Sequence, residues 1–174
     1  MKLPKPTIKP EIFNRVSELI ELLISVHPFG FCVLLGTCPP PTPEEVHEIF
    51  QSQRGALPLD FKATQKTNAT RAEAIVIDYE NFSKAVNLAG GWKHINEVAN
   101  EFAKIDSKMW NVAADHVKYV ANPASRCYSR LKYVADRNGV SRNTVIRYRK
   151  MFPQVLSMMI LIPDGEKTYF GLEN

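Results

Sequence analysis

From Glu11 to Val26 the apolar residues Ile12, Val16, Leu19, Leu23 and Val26 alternate at spacings of four and three, with Phe13 and Ile20 widening the stripe. That period belongs to one buried face of an amphipathic helix, and Pro10 suits its first position. His27-Pro28 ends it, because the residue before a proline disfavours helical geometry. The apolar run FGFCVLLGT that follows is consistent with a buried strand or an irregular segment, and its pattern does not choose between them. Beyond the stiff Pro39, Pro40 and Pro41, TPEEVHEIFQSQ predicts a short helix. Thr42 caps it, Pro43 occupies its first turn, and Glu44 and Glu45 suit the positive end of its dipole. RGALPLDFKATQKTN has no clear period and reads as a surface loop.

Thr70-Arg71-Ala72-Glu73 matches a capping box, and the helix it opens carries Ala72, Ile75, Val76, Tyr79, Phe82 and Val86 on one side before Gly90-Gly91 closes it. WKHINEVANEFAKI repeats the pattern with Trp92, Ile95, Val98, Ala99 and Phe102. SKMWNVAADHVKYVAN adds another helix, with Asp106 or Ser107 as cap, and Asn122-Pro123 marks a new start. ASRCYSRLKYVADRN then sets Tyr128, Leu131, Val134 and Ala135 at helical spacing and stops at Asn138-Gly139, where glycine supplies the left-handed residue of a sharp helix end. Ser141 caps the next helix almost at once. After MFPQVL, the runs SMMILI and KTYFGL flank PDGE and read as two short strands reversing at Asp164-Gly165. The fold class expected is mainly α, a helical N-terminal region followed by a C-terminal helix-turn-helix with a β-hairpin wing.

A chain of 174 residues, 45 % of them apolar, is enough for one ordinary domain or two small ones. No apolar run approaches the roughly 18 residues of a membrane span. MKLPKPTIKP lacks the apolar core and small-residue cleavage site of a signal peptide; it reads instead as a flexible basic arm over residues 1–10, carrying Lys2, Lys5 and Lys9, and the expected location is cytoplasmic. Cys32, Cys38 and Cys127 are an odd set that suits no disulfide framework. A metal site of His27, Cys32, Cys38 and His47 lacks the paired short spacing that preorganises zinc, so no metal or other cofactor is expected. Charge is segregated. Residues 118–150 hold nine Lys or Arg against one acid, Asp136, a local net of +8 in a chain whose total is +4. Such segregation points to one surface meant for a polyanion.

Within that basic stretch, Ala135, Gly139, Val140, Ser141, Thr144 and Val145 match the core of the helix-turn-helix superfamily of DNA-binding proteins. The small Ala135 lets two helices approach, Gly139 makes the turn, and Val140, Val145 and Tyr148 lock the second helix onto the first. The wording GVSRNTV resembles the winged-helix heads of GntR-type bacterial repressors. The likeness covers residues 123–174 and departs from that family in its C-terminal position, in Asn138 where an apolar residue is usual, and in MFPQVL in place of a leucine-rich continuation. It implies the fold and double-stranded DNA as partner, and nothing about a small-molecule effector. On this reading residues 11–121 form an oligomerisation or partner-binding region serving a homodimer or higher homo-oligomer, and residues 122–174 form the winged DNA-binding domain. The recognition helix spans about residues 142–152. Arg142, Asn143 and Arg147 are the candidates for base edges in the major groove, since Arg reads guanine and Asn adenine. Arg130, Lys132, Ser141, Thr144, Arg149 and Lys150 are the candidates for phosphates. Lys167 and Tyr169 on the wing, or the lysines of the arm, would add backbone contacts.

The function expected is sequence-specific DNA binding by a transcriptional regulator. A packaging, recombination or replication accessory protein of a phage or plasmid would use the same head, and a protein–protein adaptor would use its shape without the DNA. An enzymatic alternative comes from AIVIDYENF, which resembles the IDxEN strand of NYN nucleases and would make Asp78 a metal ligand beside Glu80 and Asn81. The helical period of residues 72–86 fits that stretch better than alternation does. His94 and His116 lie on helices, and no Ser or Cys nucleophile has an activating context, so no catalytic residues are expected.

Overall fold

Several helices of the protein start where a side chain satisfies backbone N–H groups that lack an intrahelical partner. The computed structural model describes residues 8–25, 29–52, 70–121 and 130–162, and within them the chain forms eight helices and no strand. Helix α1 (Pro10–Ser25) begins on the carbonyl of Lys9, which accepts from the Ile12 and Phe13 N–H groups. Helix α3 (Pro43–Ser52) opens on a reciprocal pair: the Glu45 N–H donates to Thr42 Oγ1 at 3.3 Å, and the Thr42 N–H donates to the Glu45 carboxylate at 2.8 Å. Helix α4 (Arg71–Leu88) has the same arrangement between Thr70 and Glu73. In helix α6 (Ser107–Ala121) Asp106 is the cap, accepting the Met109 N–H at 2.9 Å.

The apolar run at residues 29–37 is neither the strand nor the irregular segment expected of it: most of it is helical. Phe29–Leu35 forms α2, which ends at Gly36 (φ 76°) with the Thr37 N–H returning to the Cys32 carbonyl. This short, mostly buried helix needs partners for its last carbonyls, and helix α5 (Trp92–Ile105) supplies them. Asn96 Nδ2 donates to the carbonyls of Val33 and Leu34 at 2.7 and 2.8 Å, and Asn100 Nδ2 to that of Leu35 at 3.0 Å.

Helix α4 buries a different stripe from the one its apolar residues outline. Val76 and Tyr79 are 56 % and 38 % exposed, whereas Asp78 is 2 % exposed and lines up with Phe82, Ala85 and Ala89. The reason is a partner on α3, where His47 Nδ1 lies 2.7 Å from Asp78 Oδ2. A buried carboxylate with a hydrogen-bonded imidazole is tolerated where an unpaired one is not, and the helix turns to present it.

The rest of the chain closes on an aromatic centre to which four helices contribute. Phe31 of α2, Phe102 of α5, Trp110 of α6 and Phe152 of the last helix have ring centroids 5.4 to 6.2 Å apart in tilted and edge-on contacts. That last helix, α8 (Arg142–Leu161), is 20 residues long and runs straight through Pro153. SMMILI is therefore helical and not the first strand of a wing, a correction to the expectation from its apolar run. Leu156, Ser157 and Ile160 are buried at helical spacing against the core, and packing outweighs the roughly 3 kcal/mol that an internal proline costs. His94 Nε2, 2.7 Å from the Ile160 carbonyl, ties the end of α8 to α5. PDGE, KTYFGL, Lys167 and Tyr169 lie outside the described residues, as do the loop at 54–68, Lys2 and Lys5.

Candidate nucleic-acid interface

Helix α7 (Arg130–Asn138) and the first half of α8 stand on α6 through a second, small apolar cluster. Val112 of α6, Val134 and Ala135 of α7 and Val145 of α8 are its buried members, with Leu131, Val140 and Tyr148 packed around them. The turn between α7 and α8 has the two bonds of a tight helix stop. The Val140 N–H donates to the Ala135 carbonyl at 3.0 Å and the Gly139 N–H to the Asp136 carbonyl at 3.4 Å, with Gly139 at φ 62°. Ser141 follows at φ −75°, ψ 157°, and its hydroxyl oxygen accepts the Thr144 N–H at 3.1 Å and lies 2.9 Å from Thr144 Oγ1. Every residue of the helix-turn-helix pattern thus has a local job that follows from its chemistry.

Asn138, the departure from an apolar residue, has one as well. Its amide donates to Asp115 Oδ2 on α6 at 3.0 Å and to the Val134 carbonyl at 3.0 Å, and Arg137 Nε lies 3.2 Å from the same Asp115 oxygen. The Tyr133 hydroxyl and Asp115 hold the Arg137 guanidinium above its usual value. Neither Asp115 nor Asn138 stands out in the sequence as a pair, being 23 residues apart.

The expected base-reading residues share one face. Arg142, Asn143, Arg147 and Lys150 are all exposed, with Ile146 among them. Helix α8 contains no acidic residue, so nothing on it neutralises this face. Arg147 leans back, its guanidinium carbon 5.6 Å from the Tyr148 ring centroid. Ser141 is exposed and Thr144 half-buried beside the cap, and Lys132 is exposed on α7. Lys9 is exposed at the start of α1, among the described residues of the arm.

Arg149, exposed on the flank of that face, and half-buried Arg130 also face α6. They converge on His116 of α6, which is 4 % exposed. Arg149 Nη1 donates toward His116 Nε2 at 3.5 Å. Burial, then Arg149, then Arg130 push the imidazole down to about 4. The ring is therefore neutral at ordinary pH, a form in which Nε2 can accept. Arg130 is half-buried, and its Nε has no hydrogen-bond partner. Nothing in ADHVKYV signals this role for His116, because the arginines that face it lie 14 and 33 residues further along the chain.

Elsewhere, Cys32 and Cys38 are half-buried free thiols, and burial, then Cys32, raise the Cys38 thiol above its usual value. Among the described residues no three His, Cys, Asp or Glu side chains gather as metal ligands would. The AIVIDYENF stretch, which a nuclease would need as a strand, is helical, with Asp78 engaged by His47, Glu80 exposed and Asn81 half-buried. No described helix is long and apolar enough to cross a membrane. Comparison with protein-family models, curated proteins and solved structures found no match.

Proposed function

We propose that the chain is a sequence-specific double-stranded DNA-binding protein acting as a transcriptional regulator, with the first half of α8 lying in the major groove. The observation that carries this reading is the acid-free face of Arg142, Asn143, Arg147 and Lys150, held out from the body by a tight, fully bonded turn. Helix α8 begins with Arg142 and has no acid in its first turn. A cation there costs roughly 0.3–1 kcal/mol. A base or phosphate acceptor beside Arg142 turns that cost into a contact.

In this function Arg142 and Arg147 donate in pairs to guanine edges and Asn143 to adenine. Arg130, Lys132, Arg149 and Lys150, with the hydroxyls of Ser141 and Thr144, hold phosphates and set the register. Two copies pair so that a second head falls roughly 34–36 Å further along the duplex, giving a two-fold symmetric site. The test is selection of bound sequences from random duplex DNA, followed by titration of the winner against salt. The expected result is a defined site bound with a steep salt slope, which Lys150→Ala lowers by about one unit. Unchanged affinity and preference in the Arg142→Ala/Arg147→Ala double variant would sink the reading. Light scattering checks the pairing.

A further inference from the structure

Ile146 is the exception on the basic face. It is 39 % exposed, and its neighbours one turn away on the helix surface are Arg142 and Asn143 on one side and Arg149 and Lys150 on the other, all exposed. Residues at those offsets lie about 5–6 Å apart between Cβ atoms. The aliphatic side chain is therefore ringed by three cations and an amide. At an exposed helix turn, intrinsic propensity favours Ala, Lys or Gln over a branched apolar residue. The surface that complements this arrangement is anionic around the rim, to satisfy the cations, and apolar at one point in the middle. The major groove of DNA has that form where a thymine presents its C5-methyl group.

We infer that Ile146 reads a thymine methyl group, so that the preferred site contains a thymine in each half beneath the N-terminal part of α8. This rests on the DNA-binding reading above and adds to it a base that neither arginine nor asparagine selects. Arg142 and Asn143 precede Ile146 by one turn and Lys150 follows it. The methyl contact thus falls among the base contacts of Arg142, Asn143 and Arg147, and it discriminates thymine from cytosine without any hydrogen bond.

The test replaces each thymine of the selected site, one at a time, with deoxyuridine, which removes only the methyl group, and measures binding by the full chain. One position per half-site is expected to lose roughly fourfold in affinity, the value of one buried methyl group. Ile146→Ala, with folding checked by circular dichroism, is expected to bind the thymine and uracil sites equally, both at the affinity of the wild type for uracil, with an unchanged salt slope. The inference is overturned if no thymine position is sensitive. It is equally overturned if Ile146→Ala still distinguishes thymine from uracil, in which case the substitution acts only through the helix. If the chain selects no sequence, or if Arg142→Ala and Arg147→Ala bind as the wild type does, the DNA-binding reading itself fails, an outcome separate from a site that is bound but indifferent to the methyl.

Discussion

Acidification from pH 7 toward about 4.5 isolates what His116 does. A histidine whose folded value lies at about 4, against an ordinary 6.5, is neutral in the native protein while the unfolded chain takes up a proton. Above pH 6.5 both states are neutral there and the group contributes nothing. As pH falls between the two values the unfolded state alone is protonated, and stability drops by about 1.4 kcal/mol per pH unit, reaching no more than about 3 kcal/mol across the window. The comparison is between the wild type and His116→Phe, which keeps a ring in place but does not titrate. Urea unfolding followed through tryptophan emission suits the measurement, because Trp110 sits in the aromatic centre. Carboxylates and the other histidines contribute alike to both proteins, so the difference reports His116. The wild type should lose stability more steeply than the variant below pH 6.5. Arg149→Gln, which removes a cation facing the ring, should make the fall shallower. Parallel curves for the wild type and His116→Phe would refute a buried neutral imidazole beneath the two arginines.

Gly139→Ala should cost about 1 kcal/mol in urea unfolding and Gly139→Asn less, because the site is open but its φ of 62° is left-handed. Gly30→Ala should cost more than about 3 kcal/mol, since the new Cβ would run into the Leu23 carbonyl, a backbone group that cannot swing aside; a near-neutral result would mean α1 and α2 pack less closely than described. Ser141→Ala removes the α8 cap and should cost about 1 kcal/mol, with Ser141→Asp restoring it and Ser141→Val failing to. Asn138→Leu, which brings the turn closer to the repressor pattern, should nevertheless destabilise by about 1–2 kcal/mol because it removes the link to Asp115; a stabilised variant would show that the tie to α6 is dispensable.

The legible parts of this fold were those governed by local chemistry. The Thr42 and Thr70 caps, the glycine stops at Gly90 and Gly139 and the Ser141 start are decided within four residues, and each is found with its bonds made. The illegible parts depend on partners distant in sequence. Val76 and Tyr79 outline a buried face of α4 only until His47 supplies a place for Asp78. FGFCVLL is a helix whose final carbonyls Asn96 and Asn100 satisfy. SMMILI contains the residues of a strand, yet it continues α8 because Leu156 and Ile160 meet the core only in helical register. On the candidate interface, the exposed face of α8 follows from its period, while His116, Asp115 and the burial of Arg130 depend on how α6 sits beneath the turn.

That placement gives α8 a double role. Its first half belongs to the small cluster with Val134, Ala135 and Val112, and its second half reaches Phe31, Phe102 and Trp110 through Phe152. Tyr148 packs on both clusters. The orientation of Arg142, Asn143 and Arg147 is consequently fixed at one end by the Gly139 turn and at the other by the aromatic centre. A stop at Phe152 would have left the proposed reading face on a short helix held only by Val145 and Tyr148. Running through Pro153 costs the helix a backbone hydrogen bond and gains the anchoring of Leu156 and Ile160. For a face whose proposed work is to hold three polar side chains against base edges, rigidity along the helix axis matters more than the bond lost.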